Sequence, residues 1–173
     1  MSFWRRLKME NLEKKQHRVL IMCGLPGSGK SSLAATFGCP IISRDAIRFA
    51  ILKEGEDYFS HENEVLEKFY DSIWDSVQNN YTTIIDATHL TPKTRNSVLA
   101  HVPKDTYKIA VCFDVPVKVA IERNANRTDR ARVPENVIYN MATSYVKPTF
   151  KENFDEIWTI DKDLNVKEEK RDG

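Results

Sequence analysis

One octapeptide constrains this chain more than any other stretch. Gly24-Leu25-Pro26-Gly27-Ser28-Gly29-Lys30-Ser31 fits G-x-x-x-x-G-K-[ST] at every fixed position. Its flanks fit as well. The apolar run Arg18-Val19-Leu20-Ile21-Met22-Cys23 reads as a strand buried on both faces, and residues 31–37 suit a helix. Glycines let backbone N–H groups turn inward and approach phosphate oxygens. A helix beginning near Gly29 adds unpaired N–H groups and a partial positive charge. Within this cradle Gly24, Pro26, Gly27, Ser28 and Gly29 shape the loop, Lys30 bridges terminal phosphates, and the Ser31 hydroxyl is a ligand for Mg²⁺. The motif implies a nucleoside triphosphate, ATP by default. It leaves open whether water or a hydroxyl accepts the γ-phosphoryl group.

The rest of the chain alternates strands with helices. Strand signals lie at residues 18–23, 40–43, 81–85, 107–115 and 156–160. Helical signals lie at 31–37, 45–52, 61–79, after Thr91-Pro92, after Pro116 and at 134–146. In the long helix, Val65, Leu66, Phe69, Tyr70, Ile73, Trp74 and Val77 recur every three or four residues, an apolar stripe expected to face the core. This order predicts an α/β fold, a parallel sheet of about five strands covered by helices on both faces. The expected organisation is a charged extension at 1–17, one domain at 18–160 and a charged tail at 161–173.

Bulk composition excludes little beyond membranes. No run of eighteen apolar residues is present, nor an apolar stretch at the start of the kind a secretory signal needs. Three cysteines, Cys23, Cys39 and Cys112, lack metal-ligand spacing and read as buried thiols in a reducing, cytoplasmic setting. Net charge is only +1, but it is uneven: residues 53–75 carry a net −6 and residues 86–132 a net +4. No segment points to a protein partner.

The ends of the other strands supply candidates for the acceptor side. Asp45, within Ser43-Arg44-Asp45-Ala46-Ile47-Arg48, follows the second strand, where open parallel sheets place their ligand crevice. It reads as a base toward an acceptor hydroxyl or as an N-cap of the short helix, two roles that are compatible. Arg48 lies one turn on and can share its face. Asp86, in Asp86-Ala87-Thr88-His89, ends the third strand at the same edge. It could pair with Arg48, meet Mg²⁺ through water, or orient the acceptor. Thr88 is a further polar candidate, whereas His89 reads as a satisfied loop histidine. Arg123, Arg127, Arg130 and Arg132 crowd a segment poor in apolar anchors, suited to closing over a triphosphate. Arg123 and Arg127, four apart, are the functional pair; Arg130 and Arg132 are expected in solvent.

Taken together, these motifs resemble the polynucleotide 5′-hydroxyl kinase family. The resemblance rests on the phosphate loop and Ser43-Arg44-Asp45-Ala46-Ile47-Arg48, on Asp86-Ala87-Thr88-His89-Leu90-Thr91-Pro92 and Phe113-Asp114-Val115-Pro116, and on Glu122-Arg123-Asn124-Ala125-Asn126-Arg127 with Arg132-Val133-Pro134. It covers roughly residues 18–160. It implies a P-loop NTPase fold of adenylate-kinase-like form with an arginine-rich lid, and phosphoryl transfer from ATP with Mg²⁺. Asp45 would be general base, Arg48 would contact an acceptor phosphate, and Arg127 with Arg123 would close over ATP. The job of Asp86 stays open, because some members carry the aspartate one position nearer the threonine, where this chain has Ala87. No phosphatase sequence follows, so a stand-alone kinase module is expected. The acceptor would be a DNA or RNA 5′-hydroxyl or a hydroxyl on a modified nucleic acid. Related proteins that phosphorylate nucleosides, sugars or antibiotics, or that bind ATP as switches, supply the alternatives.

Overall fold

A computed structural model of the chain describes residues 16–172. Strand β1 (Arg18–Cys23) is buried throughout, as its apolar run requires. Its side chains alternate between two cores. Leu20 and Met22 join Leu33, Ala120 and Ile138 on one face, and Val19, Ile21 and Cys23 join Phe69, Ile73 and Val98 on the other. The element order is β1, α1 (Lys30–Ala34), β2 (Ile41–Ser43), α2 (Arg44–Ile51), α3 (Glu62–Asn79), β3 (Thr82–Asp86), α4 (Pro92–Leu99), β4 (Tyr107–Asp114), α5 (Val117–Ala125), α6 (Glu135–Ser144), β5 (Glu156–Asp161) and β6 (Val166–Lys170).

The strands form one sheet in the order β2-β3-β1-β4-β5-β6. The first five run parallel, and β6 returns antiparallel to β5. The sheet therefore has six strands rather than the five expected, because the segment read as a charged tail pairs along β5. Its residues Val166-Lys167-Glu168-Glu169-Lys170 are mostly exposed. An edge strand needs one partner, not an apolar face, so charge concealed it. The charged extension expected at 1–17 lies outside the described residues except at its end. There, the His17 carbonyl accepts a hydrogen bond from the Tyr107 amide at 2.8 Å, beside β1.

The chain runs from β1 to β2 and β3 on one side, then crosses to β4 and β5 on the other. The crevice above the carboxyl ends of β1 and its neighbours is thus a topological switch point. Local signals set the entries to this crevice. Thr91 caps α4 with its hydroxyl and Pro92 opens the helix. The α3 stripe is core at Val65, Phe69, Ile73 and Val77, but Trp74 departs from expectation at 52% exposed. Trp74 falls at the stripe's edge, beyond the reach of the sheet. Cys23 and Cys112 are buried and Cys39 is half-buried, all as free thiols. Among the described residues, no helix is long and apolar enough to cross a membrane.

Candidate functional site

A cleft of about 950 Å³ opens above the sheet at this switch point. Its floor is the loop between β1 and α1. Gly27 and Gly29 have φ of 79° and 104°, left-handed values that favour glycine. At Gly27 a Cβ would meet the Ala120 carbonyl oxygen at 2.1 Å, so the loop lies directly on α5. The turn folds Lys30 back over the loop, where its Nζ donates to the carbonyls of Gly24 (2.9 Å) and Leu25 (2.7 Å). Burial lowers its pKa to about 8, against the opposing pull of the Asp86 and Asp45 carboxylates. Pro26, Ser31 and Ser32 complete this floor, and Ser28 is buried beneath it.

Asp86 ends β3 beside the loop. It was expected among the substrate contacts, with Arg48 as one possible partner. Its carboxylate instead accepts a hydrogen bond from Ser31 Oγ at 2.8 Å. Burial raises the Asp86 pKa, opposed by that bond and by Lys30. A hydroxyl and a carboxylate side by side are hard oxygen donors of the kind Mg²⁺ takes. Thr88 lines the cleft, and its carbonyl accepts from the Gly24 amide at 2.9 Å. This last contact ties the β3 edge to the phosphate loop.

Asp45 stands across the cleft in the first turn of α2, exposed. It is not the cap: Ser43 takes that role, its hydroxyl accepting from the Ala46 amide. The Asp45 carboxylate is left to face the cleft, where it accepts a hydrogen bond from Tyr58 Oη at 2.7 Å. Tyr58, on a loop that sequence patterning leaves unremarkable, is raised to about 12 by burial and then by this bond. Arg44 and Arg48 do not flank Asp45. Both pair with Glu62 at the start of α3. Arg48 is 2% exposed, also donates to the Tyr58 carbonyl at 3.0 Å, and lies under the Tyr58 ring at 4.2 Å. Arg48, the expected acceptor-phosphate contact, is thus turned into the wall, because an acid fourteen residues along the chain competes for it.

The third wall is the segment after α5. Arg123 and Arg127 both line the cleft. Arg127 pairs with Asp129, and Arg123 donates to the Lys162 carbonyl at 2.9 Å. Asn124 pins the segment from inside, exchanging hydrogen bonds with the Val133 backbone. Arg130, expected in solvent, lies 4.9 Å over the Phe49 ring of α2, so the segment already touches the opposite wall. His89 is buried, with φ 44°. Its Nδ1 donates to the Met22 carbonyl at 2.7 Å while Nε2 has no partner. Burial lowers its pKa to about 4, so it stays neutral.

Residues 19–148 match the family model described as AAA domain. No curated protein matches the chain. Among solved structures, a chain of the Pnkp1/Rnl/Hen1 RNA repair complex superposes with a TM-score of 0.64 at 22% identity, over 76% of this chain and 46% of that one. The chain therefore spans less than half the length of that neighbour. A sugar kinase from Janibacter sp. HTCC2649 gives 0.61 at 19% identity, with 86% and 87% covered. A gluconokinase from Sinorhizobium meliloti 1021 gives 0.54 at 16%, with 86% and 84% covered. At these identities the likeness is one of fold: an α/β P-loop kinase fold with a mostly parallel six-stranded sheet.

Proposed function

The chain belongs to the AAA domain family, and we propose on that footing that it is an ATP-dependent kinase transferring the γ-phosphoryl group to a hydroxyl. One observation carries this reading: two carboxylates with different partners share one cleft. Asp86 is bound to the Ser31 hydroxyl, and Asp45, just past the end of the neighbouring strand β2, is held by Tyr58 from a loop. The first suits a metal-triphosphate site. The second suits a base toward an incoming alcohol.

Loop amides and Lys30 hold the β- and γ-phosphates. Lys30 is protonated below about pH 8 and gains its full charge in that duty. Ser31 and Asp86 would hold Mg²⁺, which would supply positive charge to offset that of the phosphates. Arg127 and Arg123 approach from the opposite wall, where guanidinium groups at the transferring phosphoryl contribute roughly 10³–10⁵ in rate in other systems. Asp45 accepts the acceptor's proton as the new P–O bond forms and the β–γ bridging bond breaks. Tyr58 fixes the Asp45 rotamer, and Arg48 with Glu62 fixes Tyr58. The three free thiols support a reducing, cytoplasmic setting.

Two acceptors have support. The order of motifs, and the likeness to a chain of an RNA repair complex, favour a polynucleotide 5′-hydroxyl. The pairing of Arg48 with Glu62 favours a small molecule without phosphate. Incubation with [γ-³²P]ATP and a panel of 5′-hydroxyl oligonucleotides, nucleosides and sugars tests the proposal. A kinase labels at least one organic acceptor. Label released only as inorganic phosphate, with every acceptor unlabelled, would make it a hydrolase or switch.

A further inference from the structure

Accepting the kinase reading, we infer that the acceptor is a small uncharged hydroxylated molecule with a ring face that stacks on Phe59. Two independent features of the Asp45 wall lead there.

The first is charge. The strongest side-chain partner for a phosphate on the acceptor is a guanidinium or ammonium free to meet it. The wall's two arginines, Arg44 and Arg48, share one carboxylate, Glu62. Arg48 is 2% exposed, with one face of its guanidinium under the Tyr58 ring, and the Nε atoms of both arginines are sealed from solvent. Of residues 53–75 only Tyr58 and Phe59 line the cleft, so this segment adds no cation to the wall. Arg130 sits over Phe49 rather than lining the cleft, and Arg123 and Arg127 line the opposite wall, where the triphosphate is proposed to lie. A phosphate bound at this wall would have to draw Arg44 or Arg48 away from Glu62.

The second feature is the exposed ring. Phe59 lines the cleft yet is 65% exposed, a large apolar surface left in water at the mouth of a polar site. It stands edge-on to Tyr58, with ring centroids 4.9 Å apart at 84°. Tyr58 in turn touches Asp45 at 2.7 Å. A ring seated on Phe59 is thus one side chain away from the carboxylate, within the span of a nucleoside or a short saccharide. Both a nucleobase face and the C–H face of a sugar can use such a surface.

Isothermal titration of the protein saturated with a non-hydrolysable ATP analogue and Mg²⁺ tests this. The probes are adenosine, cytidine, glucose, cytidine 3′-monophosphate and a 5′-hydroxyl oligonucleotide. A nucleoside or glucose binds, with an affinity that hardly changes with salt, and cytidine 3′-monophosphate binds more weakly than cytidine. Preference for a nucleoside over glucose assigns base stacking; the reverse assigns a sugar face. Phe59→Ala weakens the neutral probe about tenfold, the effect expected of one lost stacking partner, and leaves the ATP analogue's affinity unchanged. Glu62→Gln, verified as folded by circular dichroism, narrows the gap between cytidine and its 3′-monophosphate. The inference falls if the monophosphate or oligonucleotide binds tighter than the neutral probes with a steep salt dependence, or if Phe59→Ala changes nothing. It also falls if the ATP analogue binds and none of the neutral probes does. Failure to bind the analogue at all would instead count against the kinase reading beneath it.

Discussion

Arg95→Met should destabilise the protein by about 3–5 kcal/mol, the usual result of removing one partner from a buried ion pair. Arg95 is 0% exposed and meets Glu152 twice, through Nε at 2.7 Å and Nη2 at 2.9 Å. Its Nη1 donates to the carbonyls of His89 and Val146, both at 2.9 Å. Methionine fills most of the volume, so a cavity contributes little. The cost is electrostatic. Glu152, 8% exposed, would keep its charge with only the Thr149 amide, at 3.0 Å, among these partners. Against a total stability of about 5–15 kcal/mol this is a large fraction. With a urea m-value near 2 kcal/mol/M, the midpoint should drop by about 2 M. Circular dichroism during urea unfolding at pH 7 reads it directly. Adding Glu152→Gln removes the stranded charge and should restore at least half of the loss. A single-variant loss below about 1 kcal/mol, or a double variant no better than the single, would refute the argument.

Further outcomes follow from the same geometry. Gly27→Ala should weaken ATP binding at least tenfold by calorimetry while the fold survives, because its Cβ would strike the Ala120 carbonyl at 2.1 Å and its φ of 79° disfavours any side chain; unchanged affinity would mean that the loop does not hold the phosphates. Lys30, with its pKa lowered to about 8, must be protonated to meet them, so ATP affinity should fall by about tenfold between pH 7 and 9, and a flat profile would contradict the assignment. His89 has a folded pKa of about 4, below its unfolded value, so the unfolded chain binds more protons between about pH 6.5 and 4. Stability present at pH 7 is therefore lost as pH falls, by about 2 kcal/mol at pH 5. His89→Gln should flatten that dependence in urea titrations.

The parts of this molecule that local physics dictates could be read from its sequence. The phosphate loop, β1, the capped start of α4 and the buried positions of α3 each follow from spacing or residue type within a few positions. What stayed hidden depends on partners distant along the chain. Arg95 sits on a polar helix and reads as solvent-exposed, yet Glu152, fifty-seven residues away, draws it into the core. Arg48 shares a helix face with Asp45 by spacing, but Glu62 competes for it. Asp86 has three open roles in the sequence, and only the fold sets the Ser31 hydroxyl against it. Strand β6 lacks apolar alternation because an edge strand needs only backbone pairing with β5. Tyr58 carried no motif, and only the folded loop brings its hydroxyl to Asp45.

Central to the account is a carboxylate that takes the proton of an incoming alcohol while the phosphate loop holds ATP. Asp45→Asn changes that group by one atom and leaves Tyr58 an oxygen to bind. Measured together, ATP affinity by calorimetry should be retained, and label transfer from [γ-³²P]ATP to whichever acceptor the wild type uses should fall by about 10²–10⁴-fold. Transfer by Asp45→Asn at the wild-type rate would contradict the account.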